Sequence, residues 1–444
     1  MGTVPGGKAG PCSTGMGKVA VLPLLAALLL AAPSCHRPSG DESREIKVVN
    51  TSAFPLTGKG ITLARDSLVP GEGKAFPVLL TEDGDTVASQ TDDLDGDGKW
   101  DRLCFATALP AGDSTTLRLH WVASPLTYGA PRTQVRFGVR RSVSSKVIPA
   151  SSDTFYADQL PHVIGYQRYQ TDGPTWENDK VGFRLYLDGR NAIDVFGKKV
   201  SRMTPRDVGI GKDGFTEDNY SVMRDWGTDI LDVENSLGIG GVSLLIDDAL
   251  ARLGITEADS VDNVRTTVCR VLASGPVASA LRFDFNHWTP MGRDYGVTET
   301  VAIWPGTYAY SNTVSFRGLR GDETAVVGLV NSMTDHKPTE VRVNKDWVVL
   351  FTDDKQSVNK TWWLGLALIL PANGYESYMT APRQGSVSKT FLAKLRVQPD
   401  TPLHYFAVAG WGLSDPLFRD SASFRRYLTD LTDQLSARVE VTVR

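Results

Sequence analysis

The chain has 444 residues, a formal net charge of −4, and 41% hydrophobic and 22% charged residues. That is enough for two or three domains at an ordinary globular composition. The charge offers no general attraction to nucleic acid, no basic stripe with interleaved aromatics is present, and no nucleic-acid partner is expected.

From the N-terminus, Lys8 and Lys18 precede an apolar run from Val19 to Ala32. Its length suits a signal h-region and falls short of a transmembrane span. The run ends in Ala32-Pro33-Ser34-Cys35, which resembles a bacterial lipobox, although Pro33 is atypical and leucine is missing three before the cysteine. Residues 1–35 therefore read as a lipoprotein signal, with Cys35 as the acylated residue, and the chain is expected on the bacterial cell envelope, lipid-anchored at the outer membrane or periplasmic face. Ordinary signal cleavage nearby is the alternative. Cys104 and Cys269 remain in the mature chain, where they could form one disulfide, but both sit in apolar strand-like surroundings that better suit separate buried thiols.

Residues 46–125 read as a small β-sandwich, built of short strand-like runs between Gly, Pro and Asp turns. Within it, Asp93-Leu94-Asp95-Gly96-Asp97-Gly98-Lys99-Trp100-Asp101 places carboxylates Asp93, Asp95, Asp97 and Asp101 where they could wrap a hard cation. The glutamate that a full EF-hand loop needs at its twelfth position is replaced by Cys104. Calcium is the one cofactor suggested, with a structural role, and a bare hairpin turn explains the loop equally well. Residues 125–149 read as a linker or an exchanged pair of strands.

The remainder, residues 148–444, is strand-rich, with hairpins expected around Gly275-Pro276 and Pro305-Gly306. Helical signals are few: one near Glu217 to Leu231, and a clearer one from Ser421 to Leu435. Few crossover helices and many strands predict a mainly β fold, a large antiparallel β-supersandwich following the small sandwich. Such a sheet offers a concave face for a ligand.

The densest chemistry lies in Gly173 to Lys198. Trp176-Glu177-Asn178-Asp179 leads into an alternating stretch with Phe183 and Leu185 on one face and Arg184 and Tyr186 on the other. Asp188, Arg190, Asn191 and Asp194 follow around Gly189. Only the apolar face is needed for folding, so the polar one suits a hydroxyl-rich, acidic ligand. Glu177 and Asp179 read as an acid/base pair, as one ligand for a metal, as hydroxyl acceptors, or as structural carboxylates bridging Arg184 or Arg190. Asp225 and Trp226, in a second polar-aromatic cluster, line the same cleft or cap a helix. Of six histidines, His162 and His287 stand out for neighbouring Tyr, Arg and Trp, whereas His36, His120, His336 and His404 suit structural or solvated roles. The chain lacks a Gly-x-Ser-x-Gly elbow, a phosphate loop, a dinucleotide fingerprint and a His-Glu-x-x-His helix, which weighs against serine hydrolase, kinase and nicotinamide chemistry.

Four segments, Asp93–Asp101, Trp176–Tyr186, Ala192–Lys198 and Tyr220–Gly241, resemble the bacterial lipoprotein family catalogued as domain of unknown function 4861. The resemblance implies an envelope lipoprotein that keeps company with pectin- and uronate-degrading enzymes, and a fold similar to the supersandwich of sugar mutarotases and polysaccharide lyases. It carries no catalytic residues over. Trp226 stands where the resemblance leads one to expect histidine, which weakens any mechanism needing a histidine there.

The resulting expectation is a carbohydrate-active protein working on acidic, uronate-containing oligosaccharides by lyase or epimerase chemistry. His162, Glu177, Tyr186 and His287 are the candidate acids and bases. Trp176, Asp179, Arg184, Asp188, Arg190, Asn191, Asp225 and Trp226 are the candidate substrate contacts, with the arginines gripping a carboxylate. A non-catalytic glycan-binding lipoprotein fits the same residues, and hydrolysis by two carboxylates is a third reading.

Overall fold

In Tyr295–Ile303 every odd-numbered residue is buried and every even one half-exposed, the period-two signature of a strand covered on one side. A computed structural model describes residues 44–68 and 75–444. The signal segment 1–35 and the expected acylation site Cys35 lie outside the described residues. The fold is mainly β and its ladders are antiparallel, as the sequence predicts.

The largest sheet has nine strands. In spatial order they are Ser152–Tyr156, Val264–Ser274, Ser279–Trp288, Tyr295–Ile303, Ala309–Arg317, Leu403–Trp411, Leu364–Pro371, Trp347–Asp354 and Thr339–Arg342. Both hairpins expected from the sequence are present, joined through Gly275-Pro276 and Pro305-Gly306.

The inner face of this sheet packs on two five-stranded sheets. One comprises Gly227–Asp229, Ile193–Lys198, Val181–Leu185, Thr175–Asn178 and Thr133–Arg136; the other is centred on Ile239–Ile246 and Glu323–Val330. Between the layers, the Tyr310 ring lies 5.3 Å from Trp176 and 4.6 Å from Phe183. Tyr310 donates to Ile239 O and Tyr405 donates to Gly240 O, so the buried hydroxyls are satisfied.

The outer face of the nine-stranded sheet is covered at one end by the C-terminal helix Ser421–Ser436. Asp420 caps it by accepting from Ser423 N at 2.8 Å. Phe424, Leu428, Leu431 and Thr432 form the buried stripe, a helical period. The Phe424 ring fills the space above Gly365, where a Cβ would lie 2.5 Å from it, and Phe418 does the same above Gly410. Larger residues at those two positions would push the cover off.

The N-terminal unit stacks a five-stranded sheet on a three-stranded one around Ile46, Val48, Leu79, Phe105 and Leu119. Its edge strand comes from the far end of the chain: Val439–Val443 pairs along Arg44–Asn50. Cys104 lies in the small sheet and Cys269 in the nine-stranded one, both buried and free.

The segment 217–231 forms turns and a short strand rather than a helix. Gly227, at φ 143°, lies so close to Gly197 O that a Cβ would sit 1.8 Å from it, and Tyr220 and Trp226 pack edge-on against Phe196. Tertiary anchoring overrides the local propensity here.

Candidate functional site

Alternation divides the Trp176–Lys198 block between two environments. Trp176, Phe183 and Val195 point into the sandwich core. On the opposite face lie Gln134, Arg136, Glu177, Arg184, Asp194, Phe196 and Lys198, and this face is not open: the excursion 199–229 covers it through Thr204, Val208, Tyr220 and Trp226. A layer of charge is thereby sealed inside the protein, which is tolerable only where each charge is paired.

Glu177 is almost wholly buried and fully engaged. Lys198 Nζ lies 2.5 Å from its Oε2, Gln134 donates at 2.6 Å to Oε1, and Thr204 donates through its backbone N–H and hydroxyl. Burial pulls Lys198 below its ordinary pKa while Glu177 opposes the shift. The expected acid/base role of Glu177 gives way to a structural one, because nothing outside the protein reaches it.

Arg184 is fully buried at the centre of a second set. Its Nη2 donates to Asp194, to Asp229 at 2.7 Å and to the Tyr186 hydroxyl at 2.5 Å, while Nη1 donates to Thr171 O. It therefore cannot grip a substrate carboxylate, contrary to expectation. Burial, reinforced by Asp194, pushes the Asp229 carboxyl well above the usual range. Burial likewise raises Asp172, which accepts from the Tyr220 hydroxyl at 2.8 Å.

The part of this set that meets solvent is a rim. Tyr186 is half-buried, and its ring centroid lies 4.1 Å from the Arg184 guanidinium carbon and 4.0 Å from that of Arg190. Burial holds the Tyr186 phenol well above its ordinary pKa, so it stays protonated. Arg190 is held by Asp188 at 2.7 Å and by the exposed Glu257 at 2.8 Å. Beyond Arg190 opens a cleft of about 290 Å³ lined by Pro161, His162, Asp188, Arg190, Thr256 and Glu257. Thus His162, Asp188 and Arg190 come together, with Tyr186 beside them.

The other expected contacts are placed elsewhere. Trp176 is in the core, with no exposed surface for stacking on a sugar. Asp179 accepts from Arg132 at 2.6 Å and from Gly306 N at 2.7 Å, latching the sheet to the Pro305-Gly306 turn. Asn191 donates to Leu253 O. Asp225 pairs on the surface with Arg202, and Trp226 is buried against Phe196. His287 lies 3.0 Å from Asp294 in a separate cleft with Asp262, Asn263 and Thr289.

In the acidic loop, carboxylate oxygens of Asp93, Asp95 and Asp101 converge within 4.8 Å of one another. Asp97 stands apart, accepting from Lys99 N. Asp93 already accepts from Gly96 N and Gly98 N, yet each of its oxygens keeps a second lone pair. The donor set is all oxygen and suits calcium.

A cavity of about 700 Å³ is not anticipated by any motif in the sequence. It opens where the Pro305-Gly306 turn, the strand Leu56–Ala64 and the C-terminal helix meet, and is lined among others by Trp304, His404, Phe406, Lys59 and Asp430. Its lining comes from four distant segments, and only Trp304 beside a Pro-Gly turn hints at it locally.

Loose structural similarity is found to an alpha-mannosidase from Enterococcus faecalis V583 (TM-score 0.44, 9% identity, 91% of this chain and 46% of that one). A protein in the glycosyl hydrolase family 38 from Enterococcus faecalis gives a TM-score of 0.46 at 9% identity, over 91% of this chain and 48% of that one. The chain spans about half the length of these solved structures. "Uncharacterized protein P7" of Formosa agariphila is 23% identical over 451 residues, covering 97% of this chain and 100% of the relative. Residues 48–441 match the family model described as Domain of unknown function (DUF4861), and the chain belongs to that family.

Proposed function

We propose that this protein is an exported, lipid-anchored carbohydrate-active enzyme that acts on uronate-containing oligosaccharides by proton transfer at the Tyr186 rim. The observation that carries the reading is the environment of Tyr186: a protonated phenol, half-buried, with its hydroxyl 2.5 Å from Arg184 and its ring between two guanidinium groups, beside the His162 cleft. The hydroxyl accepts from Arg184, so its own proton is free to be donated. In β-elimination a base, here His162 or Asp172, removes the proton on the carbon next to the sugar carboxylate. The electron pair forms the carbon–carbon double bond, the glycosidic oxygen leaves, and Tyr186 protonates it. Epimerisation uses the same first step and returns the proton to the opposite face. Arg190 can answer the sugar carboxylate if Glu257, which is three-quarters exposed, gives up its place.

The test is Tyr186→Phe, assayed on a panel of uronate polymers for new ultraviolet absorbance and for solvent deuterium at the carbon next to the carboxylate. Wild-type activity lost in the variant supports the reading; a wild type that produces neither signal overturns it.

A glycan-binding role without catalysis is the second reading. What favours it is that Glu177 is committed to Lys198, and Arg184 to Asp194, inside the protein, leaving few free groups for chemistry. Recovery of a tightly bound oligosaccharide unchanged supports that alternative. The anchor is tested by mass spectrometry of the mature N-terminus, which should carry a diacylglycerol on Cys35.

A further inference from the structure

We infer that the uncovered outer face of the nine-stranded sheet is a binding surface for a linear acidic oligosaccharide lying across the strands. The register sets the residues out in rows. Ser152, Arg270, Arg282, Thr300, Thr313 and His404 are successive cross-strand partners on six adjacent strands. Alongside runs a second row, Thr154, Val268, Asp284, Thr298 and Ser315. All lie at the outward positions of the alternation whose other phase fills the core, and all but Val268 are polar. At strand spacings of about 4.8 Å, the first row spans roughly 24 Å.

Charge selects the occupant. Arg270, Arg282 and Arg317 stand on this face of the four strands from Val264 to Arg317, and Asp284 is the one acidic residue there among the described residues. Arg270 and Arg282 share it, at 2.7 and 2.8 Å, and still expose 51% and 44% of their side chains. Arg317 lies over Gly296, where a Cβ would meet its guanidinium at 2.5 Å, and donates only to neutral groups, Thr298 and Asn286. The surface is thus net positive on a chain of net charge −4. Around the arginines stand hydroxyls and an amide, donors and acceptors for sugar hydroxyls. The large apolar centre that a protein partner would need is missing from these rows. Aromatic side chains stand at the two ends: Tyr156, 48% exposed, on the edge strand, and Phe406 in the wall of the 700 Å³ cavity.

The surface shares a substrate class with the proposed function but not a site, so the two fail separately. Binding of a homogalacturonan oligosaccharide to the mature full-length protein is measured by calorimetry, with a neutral cello-oligosaccharide of equal length as control. The acidic ligand is expected to bind, more weakly as salt rises, and the neutral one not. The single variant Arg317→Gln should weaken binding ~10-fold, roughly the loss of one charge-assisted contact, and the double variant Arg270→Gln/Arg282→Gln at least as much. Arg317→Gln breaks no ion pair, so it remains informative if the double variant folds poorly. Absence of binding by the wild type, equal binding of the neutral ligand, or wild-type affinity in Arg317→Gln and the folded double variant would overturn the inference. Turnover that depends on Tyr186 while these variants bind normally sinks this surface and leaves the rim standing.

Discussion

Arg184 and Tyr186 are two residues apart on one strand and its continuation, yet they meet twice: the guanidinium donates to the phenol oxygen at 2.5 Å and also lies 4.1 Å from the ring centroid. A buried cation and a rim hydroxyl are thereby held as one unit. The arginine fixes the tyrosine, and two buried carboxylates fix the arginine.

Tyr186→Phe should leave the fold intact, since the ring keeps its place between Arg184 and Arg190. The unfolding temperature should shift by no more than a few degrees, the equivalent of about 1 kcal/mol. Turnover should drop at least ~100-fold, the scale of a lost general acid. Circular dichroism melts with parallel assays read both.

Arg184→Met should behave differently. It leaves Asp194 and Asp229 buried without their cation, a loss of about 3–5 kcal/mol. Denaturant unfolding measures it. A loss under about 1 kcal/mol contradicts the view that this arginine is structural.

Glu177 and Lys198 form the other sealed pair. Lys198→Met and Glu177→Gln should each destabilise strongly, whereas the double variant should cost much less than the sum. A double-mutant cycle by chemical denaturation tests the coupling. Purely additive losses would mean that the two charges do not depend on each other.

Glu299 lies in the sandwich core, where burial raises its carboxyl to about 7 although Asn312 donates to it. A raised acid holds its proton in the folded state, so stability is greatest below the unfolded value of about 4.3 and falls as pH rises toward 7, then levels off. Glu299→Gln should flatten this slope and stabilise the protein at pH 8 by up to about 3 kcal/mol. Melts of both proteins across this range give the answer; parallel profiles refute it.

The convergence of Asp93, Asp95 and Asp101 predicts that calcium raises the unfolding temperature and that Asp95→Asn abolishes the rise. No shift in the wild type would leave the loop a plain turn.

Much of the fold is legible because burial alternates with the sequence: strands such as Tyr295–Ile303 and the helix from Ser421 carry their periods openly. The site is less so. In the sequence the polar face of Trp176–Lys198 suits a ligand, since alternation tells which residues share a face but not what covers it. The excursion 199–229, anchored by Tyr220 and Trp226, supplies that cover from residues with no periodicity of their own. For the same reason Glu177 and Arg184 look like ligand contacts in sequence and are ion-pair partners in the fold. His162 and Arg190 meet in space although 28 positions separate them, which no local pattern records.

The central claim is proton transfer at Tyr186, and deuterium exchange tests it most directly. Uronate oligosaccharides are incubated with the wild type and with Tyr186→Phe in heavy water and examined by NMR. The expected result is deuterium at the carbon next to the carboxylate, or the unsaturated product, with wild type only. Neither signal from the wild type, or equal signals from both proteins, would contradict it.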